Sequence, residues 1–407
     1  MSRTLLLLAY AFPPENVSGA ARPFRFYRYL QEFGISPVVI TASPQNGKRS
    51  DIVFVRDVAR DFPRLTWSWH LERIVRKLFL PGELGLTWSR EAAAQGCKLI
   101  PAHRRAAVLS TSPPFSTHLA ALQIKKKLGI PWIADFRDPM PMGPSSKILT
   151  SRLNIYPMLE SFLFNRADAI IANTDAVCTQ WSGRYRSHRQ KFHVIWNGFD
   201  PDEIISALPI PKRKFKHLVH VGEMYSGRHP GSILDSLQRL TTSGALASGS
   251  LRLSLIGTSS DADIPNIDVL RRLEKSGVVE YTPSYIPQDK ARFIARQADA
   301  LLLLQPHTDR HVPAKLFEYI RIGRPVLAFV KRDSPAERIL CRCGIVYRSI
   351  YPDDPPEEVD LKMMEFLALP SDPVSPSKWF DEQFNARGQT QTLSGIIDRL
   401  SGHANQT

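Results

Sequence analysis

The stretch "DALLLLQPHTDRHVPAKLFEYIRIGRPVLAFV", residues 299–330, decides the fold. It opens on an apolar run, passes through a polar loop into a segment with apolar residues at helical spacing, and closes on a second apolar run, "PVLAFV". Strand, loop, helix and strand in that order make the unit from which parallel sheets are built. Pro313 suits the first turn of the helix and Gly323 its end. Leu316 and Ile320, with Phe317 and Ile322, form the apolar face, and Lys315 and Glu318 stand three residues apart beside it. Taken alone, such a pair is a solvated ion pair that stabilises the helix by about 0.5 kcal/mol or less.

The same alternation runs along the whole chain. In the first half, strands are expected at 4–10, 36–42, 106–112, 131–136, 169–174 and 192–197, with helices between them, as at 20–33 and 116–128. The pattern restarts with strands at 217–222, 251–257, 278–282, 299–305, 325–330 and 344–348. Between the two series, "PDEIISALPIPKRKFK" (201–216) is rich in proline and charge, as an inter-domain linker is. The expected organisation is α/β, with two doubly wound domains over 1–205 and 206–376. A C-terminal helical stretch over 377–407 is expected to pack back on the first domain. A chain of 407 residues exceeds what one core sustains, which agrees with two domains.

Composition narrows the class. Apolar residues make up 43% of the chain, and no uninterrupted apolar run approaches the roughly 20 residues a membrane helix needs. The start, "MSRTLLLLAYAFPPEN", reads as a first buried strand, since no small-residue cleavage site follows its apolar run. Four cysteines, Cys97, Cys178, Cys341 and Cys343, are too few for a disulfide framework, and a reducing cytoplasm is expected. Cys341 and Cys343, without a second pair at zinc spacing, are expected to be strand residues. The net charge of +14 is uneven: residues 1–200 hold 27 basic and 14 acidic side chains, so nearly the whole excess lies in the first half. Such a half attracts anionic surfaces in a salt-dependent way.

Ligands of open parallel sheets bind beyond the carboxyl ends of the strands, and phosphates favour helix N-termini. After the first strand, "AFPPENVSGAARPFRF" places Gly19 and Ala20 before a helix that carries Arg22 and Arg25. A diphosphate approaching the backbone and a simple turn beside a solvated face explain that loop equally well. No GxGxxG follows the strand. His118 in "STSPPFSTHLAA" stands early in a helix, either orienting a substrate group or serving as a polar helix-start residue. "ADFRDPM" brings Asp135, Arg137 and Asp138 to a strand end, as cleft residues or as a structural ion pair. Asn197-Gly198 is a turn. In "VHVGEMYSGRHPGSIL", Arg228 precedes a helix, where it neutralises a phosphate or lies on the surface.

In combination, "FPP…GAAR", "SPPFSTH", "IPWIADFRDP", "NGFDPDE", "VGEMYSGR" and "PAKLFEYIRIGRPVLA" resemble the bacterial retaining glycosyltransferases of family 4, which have the GT-B architecture. The resemblance spans essentially the whole chain. It implies two facing Rossmann-like domains with a cleft between them, the first binding the acceptor and the second the nucleotide-sugar donor. By the same resemblance, Glu318 matches the glutamate on the ribose hydroxyls and Arg228 the basic residue on the donor diphosphate. Gly19 matches the glycine whose backbone approaches a donor phosphate. His118 and Asp138 match cleft residues near the transferred sugar, the expected catalytic positions. Many members carry two glutamates eight positions apart; here the first position is Arg310, with Asp309 beside it. Lys315 and His311 are then expected to face the sugar or diphosphate.

The activity this implies is transfer of a sugar from a nucleotide-diphosphate sugar to an acceptor hydroxyl with retention. The leaving diphosphate takes the proton, and neither metal nor further cofactor is required. In "RLTWSWHLERIVRKLFLPGELGLTW" (64–88), Trp67, Trp69, Leu71, Ile74, Leu78 and Phe79 interleave with Arg64, Arg73, Arg76 and Lys77. That pattern suits a helix lying on anionic lipid or one packed on its own domain. With the basic first half, it leads us to expect a cytoplasmic protein peripheral on the inner membrane face and a lipid-linked or polysaccharide acceptor in cell-surface glycan assembly. Competing readings are a nucleotide-sugar 2-epimerase of the same architecture and a non-catalytic nucleotide-sugar binder. A nucleic-acid-binding protein is disfavoured, because no recognisable nucleic-acid motif is present.

Overall fold

A computed structural model describes residues 3–15, 17–47, 49–61, 69–71, 74, 83–100, 106–140, 155–225 and 227–403. The chain divides into two compact units, Met1–Asp200 with Ala386–Thr407, and Pro201–Asn385. The division at Asp200 falls at the start of the proline-rich stretch 201–216.

The first unit holds β1 (Arg3–Ala9), β2 (Ile35–Thr41), β3 (Ile52–Phe54), β4 (Ala106–Ser112), β5 (Trp132–Phe136), β6 (Ala169–Ala172) and β7 (Phe192–Val194). They pair in the order β3-β2-β1-β4-β5-β6-β7, every pair parallel. The second unit holds β8 (Lys216–Val221), β9 (Leu251–Ile256), β10 (Val279–Thr282), β11 (Ala300–Gln305), β12 (Val326–Val330) and β13 (Tyr347–Ile350). Their order is β10-β9-β8-β11-β12-β13, again all parallel. Each sheet therefore grows outward one way from its first strand and then restarts on the other side of it. The loops after β1 and β4, and those after β8 and β11, diverge at these reversals, which is where open sheets receive ligands.

The strands form where the apolar runs predict, because strands covered on both faces carry no polar alternation. Leu5, Leu6, Leu7 and Leu8 are all fully buried, and so are Leu301 and Leu302 of β11. Two differences have local causes. β3 is a three-residue edge strand, too short to show a period, and β13 begins at Tyr347, three residues beyond the expected start. Cys341 and Cys343, expected in a strand, lie instead just past the helix Pro335–Leu340; Cys343 is buried and its thiol donates to the Leu340 carbonyl at 3.2 Å.

The C-terminal helical stretch breaks at Asn385 into Lys378–Phe384 and Ala386–His403. The first helix belongs to the second unit, where Phe384 packs with its ring 5.2 Å from that of Phe317, behind Glu318. The second helix belongs to the first unit, where Leu393, Ile396 and Ile397 enter the core with Leu5, Leu7 and Phe26.

At the carboxyl edge of the second sheet, the backbone after β9 lies against that after β8. Gly257, at φ +145°, would place a Cβ 2.0 Å from the Gly222 carbonyl oxygen, so only glycine permits this approach.

Candidate functional site

The helix Ala314–Ile322 starts after Pro313 and ends on Gly323 in the left-handed region, φ +78°. Tyr319, fully buried, locks it to the sheet: its hydroxyl accepts from the Val221 N–H at 3.1 Å. One position earlier, the Glu318 side chain is 18% exposed and engaged by two cations. Its Oε1 accepts from Arg292 Nε at 3.0 Å and Nη2 at 2.9 Å, and its Oε2 from Lys315 Nζ at 2.9 Å. Burial raises the proton affinity of this carboxyl, but Lys315 and Arg292 outweigh burial and hold the group below the usual carboxylate range. Glu318 is thus no lone solvated pair. Arg292, on the helix Gln288–Arg296, also reaches Glu203 at 3.3 Å. Nothing in the sequence marks Arg292, because its link to Glu318 joins two helices.

Arg228 lies in the loop after β8, its N–H bonded to the Tyr225 carbonyl at 2.7 Å and its guanidinium 5.1 Å from the Tyr225 ring centroid. Its Nη2 donates to Gln305, the last residue of β11, so it bridges the two loops at the reversal of the sheet. Its Nε is buried and has no hydrogen-bond partner among the described residues. Beneath it on β8, His220 is 5% exposed, with Nδ1 2.9 Å from the Leu302 carbonyl oxygen. Burial, aided by Arg228 and Lys315, drops its pKa to about 4. Asp309 pairs with Lys331 at 3.1 Å and with Arg310 at 3.6 Å.

In the first unit an arginine also spans the reversal. Arg137, after β5, donates from Nε to the Ser112 carbonyl at 2.9 Å and from Nη1 and Nη2 to the carbonyls of Gly19 and Pro113. A Cβ on Gly19 would lie 2.8 Å from Arg137 Nη1, the end of a flexible side chain that would have to shift to admit it. Asp138 is exposed and acts on the charge of Arg137. Arg22 does not lie on a solvated face and does not point to a phosphate. It is 5% exposed and forks onto Asp135, itself 0% exposed, from Nε at 3.0 Å and Nη2 at 2.7 Å. Arg25 donates to the Gly198 carbonyl.

His118, in the first turn of the helix Ser116–Leu128, is 0% exposed and so is not a solvated helix-start residue. Its ring centroid is 4.3 Å from that of Phe136, its Nδ1 is 2.7 Å from Ser110 Oγ, and burial drops its pKa to about 3. Acid should therefore destabilise the first unit through this residue. Below pH 6.5, the ordinary histidine value, the unfolded chain takes up a proton that the folded unit refuses until about pH 3. At pH 5 that difference amounts to about 2 kcal/mol. His118→Leu should lose about 2 kcal/mol less than the wild type between pH 7 and pH 5 in denaturant titrations. Equal losses would remove His118 as the cause.

Among the described residues, no group of three or more His, Cys, Asp or Glu side chains is placed to hold a metal ion. A surface cavity of about 400 Å³ at the β3 edge is lined by Phe54, Arg56, Trp88 and Glu91 among others, and contains none of the six expected site residues. Of the aromatic and basic segment 64–88, residues 64–68, 72–73 and 75–82 lie outside the described residues, including Trp67, Arg73, Arg76, Lys77, Leu78 and Phe79; Leu71 and Ile74 are exposed. No described helix is long and apolar enough to cross a membrane.

Residues 23–203 match the family Glycosyltransferase Family 4. Among solved structures, α,α-trehalose 6-phosphate synthase from Burkholderia multivorans is similar over 100% of this chain and 98% of its own, with a TM-score of 0.65 and 12% identity. Trehalose-6-phosphate synthase from E. coli bound with UDP-2-fluoro glucose covers 99% and 98%, with a TM-score of 0.61 and 12% identity. Anabaena HepE in complex with UDP and glucose covers 97% and 99%, with a TM-score of 0.59 and 11% identity. No curated protein matches in sequence. The fold is that of GT-B glycosyltransferases, with two Rossmann-like units, as the motifs led us to expect.

Proposed function

We propose that this chain, carrying a glycosyltransferase family 4 match over residues 23–203, transfers a sugar from a nucleoside diphosphate-sugar to an acceptor hydroxyl, with retention at the anomeric carbon. The observation that carries this reading is the Glu318 carboxylate, kept ionised between Arg292 and Lys315 on the helix that follows β11. There it accepts hydrogen bonds from the two ribose hydroxyls of the donor. Arg228 and Lys315 neutralise the diphosphate, with the N-terminus of the helix Gly231–Thr242 following Arg228.

In this scheme the bond from the anomeric carbon to the phosphate oxygen breaks while the acceptor oxygen forms its bond on the same face. The acceptor proton passes to the departing diphosphate, so no protein nucleophile is used. What the protein supplies is stabilisation of the negative charge that develops on the departing diphosphate. By the motif resemblance, His118 and Asp138 are the first unit's residues near the transferred sugar; His118 is fully buried and Asp138 is exposed two positions past the end of β5. Support for a nucleotide donor also comes from the neighbours crystallised with UDP-2-fluoro glucose or with UDP and glucose.

The test is a thermal-shift panel of UDP, GDP, UDP-glucose and GDP-mannose, followed by anomer-resolved product analysis with the stabilising donor. An inverted product, or no nucleotide that stabilises the protein, would refute the reading. The acceptor we propose is a lipid-linked or polysaccharide intermediate reached at the inner membrane face, on the strength of the excess positive charge in residues 1–200. Sedimentation with anionic vesicles should then show binding at low salt that fades at high salt, and a chain left in the supernatant at low salt counts against it.

A further inference from the structure

The cavity at the β3 edge, about 400 Å³, has the size of a small-ligand site and belongs to the first unit. It opens where the chain leaves β3, between Phe54, Arg56 and Val58 on one side and the helix Trp88–Leu99 on the other. Its walls are fixed before any ligand arrives. The Trp88 indole N–H donates to the Val55 carbonyl at 3.0 Å, and the ring meets that of Tyr10, the residue after β1, edge to face at 5.3 Å. The Tyr10 hydroxyl in turn donates to Asp57. On the helix, Glu91 and Gln95 both line the cavity one turn apart, and Gln95 Nε2 donates to Glu91 Oε1 at 2.8 Å. That bond uses one carboxylate oxygen and one amide N–H, and each side chain has further hydrogen-bonding capacity. Arg56, its side chain 58% exposed, adds a cation to the lining, and Phe54 with Val58, 39% exposed, adds an apolar wall.

This lining restricts the occupant. An anion drawn to Arg56 meets the Glu91 carboxylate, and a cation drawn to Glu91 meets the guanidinium. An acyl chain covers Phe54 and Val58 but strips water from both charges and gives neither a partner. A sugar ring suits the whole lining at once: its hydroxyls accept from the guanidinium or the amide and donate to the carboxylate, while its C–H groups lie on the apolar wall. We infer that this cavity is a subsite for a neutral sugar residue of the acceptor, and that this residue is not the one receiving the transferred sugar. The separation follows from the sheet order. β3 is two strands from β1, which precedes Gly19, and four from β5, which precedes Asp138; at about 4.8 Å per strand these are roughly 10 Å and 19 Å. The acceptor role rests on the transfer reading proposed above. It narrows the acceptor to a chain of more than one sugar residue, which an earlier sugar transfer must supply.

Saturation-transfer NMR of the full chain with maltose, cellobiose, lactose and N,N′-diacetylchitobiose tests it, with glucose against glucuronate as the charge control. Wild type should bind at least one of the disaccharides, and glucose more tightly than glucuronate. Val58→Trp, which fills the cavity from an exposed position, should abolish that binding. Glu91→Ala should weaken it about tenfold, the loss of a hydrogen bond to a charged group. Both variants should keep the wild-type melting temperature and bind UDP, GDP, UDP-glucose and GDP-mannose as wild type does. No disaccharide bound, glucuronate preferred, or binding that survives Val58→Trp would each overturn the subsite. Nucleotide binding without disaccharide binding overturns the subsite and leaves the transfer reading standing. Disaccharide binding without nucleotide binding does the reverse: the cavity holds sugar, and the chain transfers none. A second readout needs no cavity variant: in ¹⁵N-tryptophan-labelled wild type the Trp88 indole resonance, assigned with Trp88→Phe, should shift on saturation with the disaccharide, and an unmoved resonance overturns the subsite.

Discussion

Replacing Arg22 with alanine is expected to destabilise the first unit by about 3–5 kcal/mol, the range for a buried ion pair stripped of one partner. Asp135, on β5, would keep its Thr111 hydroxyl donor at 2.8 Å but lose two N–H bonds and its counter-charge in a fully buried place. The same guanidinium holds the chain past β7 through the carbonyls of Trp196 at 2.7 Å and Ile195 at 2.9 Å, so three segments lose a common tie. Arg22→Lys should recover only part, since an ammonium cannot fork onto both carboxylate oxygens. The Arg22→Met, Asp135→Leu double variant should be more stable than either single one, because it leaves no charge unpaired. Denaturant midpoints decide this: a loss below 1 kcal/mol for Arg22→Ala would mean that the arginine behaves as a surface residue.

Glu318→Ala should weaken nucleoside diphosphate binding by about 100-fold, as expected when charge-assisted hydrogen bonds worth about 1.5–3 kcal/mol each are lost. Stability without ligand should change little, because the Glu318 pairs with Arg292 and Lys315 are partly exposed and Arg292 keeps Glu203 as a partner. Glu318→Gln, which keeps one acceptor oxygen and the length, should fall between alanine and wild type. If Glu318→Ala bound the nucleotide as tightly as wild type, the ribose assignment would be wrong whatever the reaction.

Much of the fold was legible because parallel strands announce themselves. "LLLL" at 301–304 and at 5–8 admits no surface face, and the helix "PAKLFEYIRIG" carries its own start and stop in Pro313 and Gly323. β3 escaped because three residues cannot display a period, and Cys341 and Cys343 were misplaced because a helix end and a strand start lie within a few residues of each other. Glu318 is visible in the sequence as a charge beside an apolar helix face, but its environment is not. Its partner Arg292 sits 26 residues away on another helix, and no spacing rule connects them.

By itself, then, the sequence determined two α/β units of parallel strands and the loops that join them, since burial on both faces writes itself into consecutive apolar residues. Only the tertiary structure decided which charges are paired and which atoms are left over. It sent Arg22 to Asp135 across 113 residues, enclosed His118 beside Phe136, and left His220 Nε2 and Arg228 Nε buried without partners among the described residues. The physical reason is that a periodic pattern reports which face of an element is dry. The state of a charge depends on distances between elements that are far apart in the chain.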